Sequence, residues 1–388
     1  MPTPSQPRVV LFLRSNREGV ARLPRALQKA GLHVTVIAPP DSFPALTQHR
    51  DAFFPAPDGR SPLSRWVALL VFLWRLQQLP PAQIIAGDEA ALRYLGRLNE
   101  PRRRLPLALL FPAAFRAITA SLPNKVSFVS MYSRRQNAAL ADQYGLAVPA
   151  WAPCEDAARV AALVAQHGFP VIVKRDGSCA GLGVTVCHDA SALAANLAAG
   201  IRPGIVQAYH QGAIAMQAGV ALGGQLLSTC GWLKETCFPE PHGPSAIVVQ
   251  QRDAVMEAAA QRYAEATGFT GFFSLDFVLT AGGPLLIEAN PRPTPVGHLG
   301  ELAHTFAAAL GAPVAPAPAP APERIAIFPQ ELRRDPASAR DGALRHDIPW
   351  DDAPLLDALC RAHFGGVLPV SAEFAKAGQA DCERRCGK

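Results

Sequence analysis

Residues 8–14 (Arg-Val-Val-Leu-Phe-Leu-Arg) hold an unbroken apolar run between two arginines. A short run without alternation, rich in β-branched and aromatic residues, reads as a strand buried on both faces. Residues 23–30 repeat apolar positions at helical spacing and stop at Gly31, where a left-handed cap belongs. A second apolar strand follows over 33–38. Strand, helix and strand in that order predict an α/β unit with a parallel sheet. A helix over 66–79, a strand over 83–87 and a helix over 89–98 continue it to about residue 120.

The pattern then changes. Helices are predicted over 133–144, closed by Gly145, and over 157–167, closed by Gly168. Residues 171–184 and 272–291 read as hairpins, and 204–230 has the alternating, glycine-punctuated character of antiparallel strands. The expected organisation is an α/β domain (1–120), an α+β domain (121–310), a Pro/Ala spacer (311–322) and a C-terminal segment (323–388) of unassigned role. The spacer, Ala-Pro repeats over 312–322, should be extended. The last segment is too small for a core of its own and is expected to pack back on the rest.

At 388 residues, 49% hydrophobic and 18% charged, the chain reads as a soluble protein of two or three domains. The apolar run 66–74, between Arg65 and Arg75, is too short to span a bilayer. It is read as a buried helix, with peripheral membrane contact as the lesser alternative. The opening, 1–8, is polar and does not read as a signal peptide. Eight dispersed cysteines without CxxC spacing read as reduced thiols, so a cytoplasmic location is expected. The net charge of +6 is spread along the chain, and its densest run, Arg102–Arg104, lacks interleaved aromatics. That argues against nucleic acid and for a mildly basic cleft taking an anionic ligand.

Two segments carry chemistry. In 273–292, alternating runs flank Ala281-Gly-Gly283, which predicts a hairpin with a three-residue loop. Pairing Thr280 with Pro284 also sets Asp276 opposite Glu288, with Asn290 on the same face. Like charges facing each other destabilise a sheet. Two carboxylates and an amide oxygen would hold Mg²⁺ once phosphate oxygens complete the octahedron. A solvated hairpin face is the plain alternative. Arg292, two residues on, could clamp a phosphate or carboxylate.

The second segment is Val171-Ile-Val-Lys174 followed by the glycine-rich loop 177–183 and another strand. Here the lysine precedes the glycines, unlike a Walker loop, and no helix follows, unlike a dinucleotide fingerprint. A mobile glycine loop between strands can close over a nucleotide, its N–H groups meeting phosphate oxygens beside the Lys174 charge. A long hairpin with flexible glycines is again the plain reading.

Taken together, 171–183, Val206-Gln-Ala-Tyr-His-Gln-Gly212 and Asp276…Glu288-x-Asn290-x-Arg292 resemble the ATP-grasp superfamily, in its carbamoyl-phosphate-synthase-like and carboxylate–amine ligase branch. The likeness covers about residues 120–310. It implies ATP and Mg²⁺ (or Mn²⁺) as cofactors and two subdomains clamping the nucleotide. Lys174 would then contact phosphates under a lid containing Ser178, Gly181 and Gly183. Gln207, Ala208, Tyr209 and His210 would form the hinge that reads adenine. Asp276, Glu288 and Asn290 would hold metal, and Arg292 would stabilise the acyl phosphate or tetrahedral intermediate. Arg134, or equally Arg135, would add a phosphate contact. The chain departs from the pattern after Gly212, where Ala213 stands in place of the usual ribose-binding glutamate, and at Gln207, where the family often has Glu.

The expected activity is ADP-forming ligation of a small-molecule carboxylate to an amine through an acyl phosphate. Lys234, Ser245 and His298 are candidates for the acceptor pocket. Rival readings are a non-catalytic ATP-binding regulator and a bicarbonate-activating carboxylase with a separate carrier, since no Met-Lys-Met motif occurs. The oligomeric state stays open, a homodimer included.

Overall fold

The computed structural model describes residues 6–131, 133–176, 183–199, 203–240, 243–313 and 323–386. Among them, the N-terminal sheet is parallel and has the order β3-β2-β1-β4, with β1 (Arg8–Phe12), β2 (His33–Ala38), β3 (Ala52–Pro55) and β4 (Gln83–Ala86). Val9 to Phe12 are buried in the middle of it, as a strand covered on both faces requires. Asp88, fully buried, caps the Glu89–Leu98 helix through Ala91 N (2.6 Å). Its other oxygen accepts from Arg14 N (2.9 Å), Ser15 N (2.8 Å) and Ser15 Oγ (2.7 Å). One carboxylate thereby fixes the loop after β1 to the helix after β4, at the carboxyl ends of the strands.

A second sheet, β5-β8-β6-β7, contains β5 (Trp151–Pro153), β6 (Val171–Arg175), β7 (Val184–Cys187) and β8 (Gly204–Ala208), all antiparallel. It buries its own small core under the Ala157–His167 and Ala190–Ala198 helices. The third sheet has the order β13-β12-β9-β10-β11-β14-β15. Its strands are β9 (Ala213–Leu222), β10 (Gln225–Cys237), β11 (Ser245–Gln250), β12 (Gly271–Thr280), β13 (Gly283–Asn290), β14 (Arg324–Ala326) and β15 (Arg345–His346).

The last two strands belong to the C-terminal segment, which therefore extends the large sheet. It is also ion-paired to the first domain, Asp347 to Arg22 (3.0 Å) and Asp351 to Arg25 (2.6 Å). Phe328, Leu332, Leu355 and Leu359 close an apolar cluster with Ala21. The Ala-Pro run at 314–322 lies outside the described residues.

Two expectations are corrected. The hairpin loop has two residues, because Thr280 pairs with Gly283 and Leu279 with Pro284. Gly283 sits at φ +110°, a conformation that favours glycine. Asp276 nevertheless faces Glu288, since Phe277 pairs with Leu286 and leaves Ile287 as a β-bulge. The second correction concerns the apolar run at 66–74. It lies in a Pro62–Gln78 helix that starts at a Ser61–Ser64 capping box, and only Phe72, Leu73 and Leu76 are fully buried. Trp66 and Trp74 remain 56% and 54% exposed, because the apolar surface runs round the helix while the core covers one side.

Candidate active site

Glu288 and Asn290 on β13 and Asp276 on β12 share one face of the hairpin, with Asn290 paired to Ser274. The Asn290 amide donates to Asp276 Oδ2 (3.3 Å), while its oxygen accepts from Arg292 Nη2 (3.3 Å). Ser274 Oγ donates to the other Asp276 oxygen (3.4 Å). Burial raises the Asp276 pKa, and the Glu288 carboxylate raises it further, against the opposing charges of Lys234 and Arg292.

Lys174 reaches this face from β6. Its Nζ is buried and donates to the carbonyl of Ile287 (2.9 Å), the residue that the bulge sets apart from the ladder. Burial, with the Arg134 charge, lowers its pKa to about 8 despite Glu288 and Asp276. Arg134 begins the Arg134–Gln143 helix, where Asp176 holds both its N–H (2.7 Å) and the Ser133 hydroxyl (2.8 Å). The Arg134 guanidinium pairs with Glu288 at 3.0 Å. Arg135 turns away and pairs with Glu155, so of the two arginines Arg134 lines the cleft.

The cleft between these elements has a volume of about 220 Å³. Gln207 lines it from β8; it is buried, and its Oε1 has no hydrogen-bond partner among the described residues. Ala208 continues the strand, with its N–H bonded to the Ala150 carbonyl (2.8 Å), and Tyr209 and His210 lie in the crossing from β8 to β9. Gly183 is buried, its carbonyl accepting from Arg175 N (2.9 Å); Ser178 and Gly181 lie outside the described residues.

The opposite wall comes from the first domain and was missed by sequence reasoning: Ser15, Arg17, Glu89 and Arg93. Glu89 accepts from Arg292 Nε (2.6 Å) and from Arg17 Nη2 (3.0 Å). Burial alone would raise its pKa, but the two guanidinium groups outweigh burial and lower it. A usable signal was present, because Glu89 opens a helix directly after a parallel strand, where ligands of open α/β sheets bind.

The acceptor-pocket candidates separate. Lys234 donates to the Gly243 carbonyl (3.2 Å) and is close enough for its charge to act on Asp276. Ser245 is buried against Met216, its Oγ 3.6 Å from the sulfur, and Met216 is the β9 neighbour of Asp276. His298 lies elsewhere, its Nε2 in hydrogen-bond contact with Asp347 Oδ2 (3.0 Å) beside Arg22.

Among the described residues no group of three His, Cys, Asp or Glu side chains could enclose a metal. Asp276, Glu288 and the Asn290 oxygen instead offer three hard oxygens on one face. That set fits a Mg²⁺ ion whose other positions are phosphate oxygens. The Asp276 pKa is raised first by burial and then by the Glu288 charge, and a cation on this face would offset both.

No protein-family model matches the chain. Over 189 residues it is 28% identical to a phosphoribosylamine–glycine ligase of Phenylobacterium zucineum, a match spanning 40% of this chain and 42% of that relative's length. Among solved structures it resembles N5-carboxyaminoimidazole synthetase from Staphylococcus aureus in complex with ADP (TM-score 0.54, 16% identity, 79% of this chain and 78% of that one). It also resembles an L-amino acid ligase from Bacillus licheniformis (0.52, 14%, 80% and 75%). A third likeness is to the biotin carboxylase domain of the Hydrogenobacter thermophilus 2-oxoglutarate carboxylase, in complex with MgADP, ADP and bicarbonate (0.53, 14%, 79% and 70%). These neighbours are ATP-grasp enzymes, and with its parallel N-terminal sheet, its small antiparallel sheet and the large sheet facing it across the cleft, the chain has the ATP-grasp fold.

Proposed function

We propose that the protein is an ATP-dependent, ADP-forming carboxylate–amine ligase. The observation that carries this reading is the convergence of Asp276, Glu288, Asn290 and Arg292 from one hairpin with Lys174 and Arg134 from the facing elements. Attack of a carboxylate on a polyphosphate brings two anions together, so positioning and neutralisation matter more than a protein nucleophile.

In this reading adenine lies against Gln207–His210, and the unpartnered Gln207 oxygen accepts its amino group. Lys174 and Arg134 bind phosphate oxygens. Mg²⁺ (or Mn²⁺, which suits the same donors) on Asp276, Glu288 and Asn290 would offset phosphate charge. A substrate carboxylate enters from the Ser15, Arg17 and Arg93 side of the cleft. Its oxygen attacks the γ-phosphorus, ADP leaves, and an acyl phosphate forms. Arg292, aimed by Glu89, stabilises the charge on that acyl phosphate and on the tetrahedral adduct. An amine then attacks the acyl carbon, gives up a proton and expels phosphate, leaving an amide. Excluding water protects the acyl phosphate meanwhile.

ADP release from Mg-ATP, assayed across pooled carboxylates and amines with Glu288→Gln as the blank, tests the reading. Release that requires both classes supports ligation. An undiminished rate in Glu288→Gln would refute it. Release that needs bicarbonate and no amine would favour the carboxylase reading, which the likeness to a bicarbonate-bound neighbour keeps in view. Mg-dependent ATP binding without turnover would favour a regulator, the role suggested by Ala213 standing where a ribose-binding acid is usual.

A further inference from the structure

Thirteen large apolar residues among those described are exposed, and ten of them fall between Leu63 and Leu110. Six form one stripe on the Pro62–Gln78 helix: Leu63, Trp66, Val67, Leu70, Val71 and Trp74, each at least 40% exposed. Their spacing, i, i+3, i+4, i+7, i+8, i+11, is that of one helix face. The opposite face already buries Phe72, Leu73 and Leu76 in the domain core, so the stripe is a second apolar face that the fold itself does not use.

The neighbouring Pro101–Leu110 helix adds Leu105, Leu109 and Leu110, exposed by 70%, 85% and 68%. Gln77, at the end of the first helix, caps the Pro112–Ala120 helix that follows Leu110: its side-chain oxygen accepts from Ala113 N (2.8 Å) and Ala114 N (3.3 Å). The C-terminal ends of the two stripes, at Trp74 and Leu110, therefore lead to the same junction. Exposed apolar surface concentrated in this way marks a contact with something else.

Charge identifies the occupant. Neither helix contains an Asp or Glu, while together they carry Arg65, Arg75 and the run Arg102–Arg104. Arg65, Arg103 and Arg104 are exposed, and the nearest acids in sequence, Asp58 and Glu100, precede the helices. Twofold pairing of this face with itself would set arginines against arginines without a compensating acid. An anionic surface meets both demands, taking the leucines and the two tryptophans into its apolar boundary and the guanidinium groups at its charged level.

We propose that this face docks the protein peripherally on an anionic lipid bilayer. No described helix is long and apolar enough to cross one, so the contact lies in the plane of the interface. The inference is independent of the ligase reading, because none of the residues involved lines the cleft.

The test uses the full chain and extruded vesicles of phosphatidylcholine mixed with phosphatidylglycerol, against phosphatidylcholine alone. Cosedimentation and a blue shift of tryptophan emission are expected with the mixed vesicles only, weakening with salt. Arg103→Glu with Arg104→Glu should reduce binding roughly tenfold or more, and Trp66→Asp with Leu70→Asp should abolish it. All four side chains are exposed, and an unchanged circular-dichroism melt verifies folding. A folded protein that stays in the supernatant with mixed vesicles would overturn the proposal, as would binding indifferent to both double variants. A dimer in vesicle-free solution that Trp66→Asp with Leu70→Asp converts to monomer would assign the face to a second copy instead.

Discussion

Arg292 directs its Nε at Glu89 Oε1, 2.6 Å away, across 203 positions of sequence. The second Glu89 oxygen is held by Arg17 at 3.0 Å. Glu89 thus aims the guanidinium and ties the hairpin to the first domain. Glu89→Gln keeps the shape and loses the charge, so it should lower kcat by roughly tenfold while leaving the KM for ATP within about twofold. Steady-state kinetics of ADP release measure both. A change confined to KM would mean that Glu89 serves binding alone.

Arg134 occupies Glu288, the carboxylate proposed for metal, at 3.0 Å. Arg134→Gln should therefore act in opposite directions on two ligands. Affinity for Mn²⁺ without nucleotide should rise by about tenfold, since a positive charge beside the ligand is gone. Affinity for ATP should fall, since a phosphate contact is lost. Electron paramagnetic resonance of free Mn²⁺ and calorimetry with ATP separate the two effects.

In metal-free protein the Asp276 pKa is raised from 3.8 to about 6, first by burial and then by Glu288. The folded state then binds the proton more tightly than the unfolded one between those values, so this group's contribution to stability falls as pH rises from about 4 to about 6. The loss is on the order of 3 kcal/mol, and it is nearly complete by pH 7. Urea unfolding in the presence of a chelator should show that Asp276→Asn flattens this part of the pH profile and is the more stable protein at pH 7. The same variant should lose Mg-ATP turnover, which separates stability from function at one residue.

Gln207 presents a buried oxygen without a described partner to the cleft. If that oxygen reads the adenine amino group, Gln207→Ala should raise the KM for ATP roughly three- to tenfold, the value of one hydrogen bond, with kcat nearly unchanged. Discrimination between ATP and GTP should narrow at the same time. Competition binding with the two nucleotides provides the readout.

The hairpin chemistry was legible because period-two alternation puts Glu288 and Asn290 on one face of their strand, and a Gly-Gly turn brings that strand back along Asp276. Ile287 was not legible as a bulge, since no glycine or proline marks it. The loop estimate was therefore one residue too long, and the two errors cancelled at Glu288. Arg17 and Glu89 escaped because their relation to Arg292 is made by tertiary folding alone. The exposed face of the Pro62–Gln78 helix escaped for a different reason: with apolar residues all round, periodicity cannot tell which side the core takes. β14, only three residues long, carries no periodic signal, so its pairing with β11 could not be read in advance.

The bulge at Ile287 makes the hairpin sensitive to number more than to kind. A different apolar side chain there would still offer its carbonyl to Lys174, because the hydrogen bond is made by the backbone. Removing the residue would restore an unbroken ladder in which Glu288 follows Leu286 directly and still faces Asp276, but the carbonyl that holds Lys174 would be gone. A single missing codon at Ile287 would thus spare both carboxylates and strike the site through its lysine, which would lose the backbone acceptor that seats it against the hairpin.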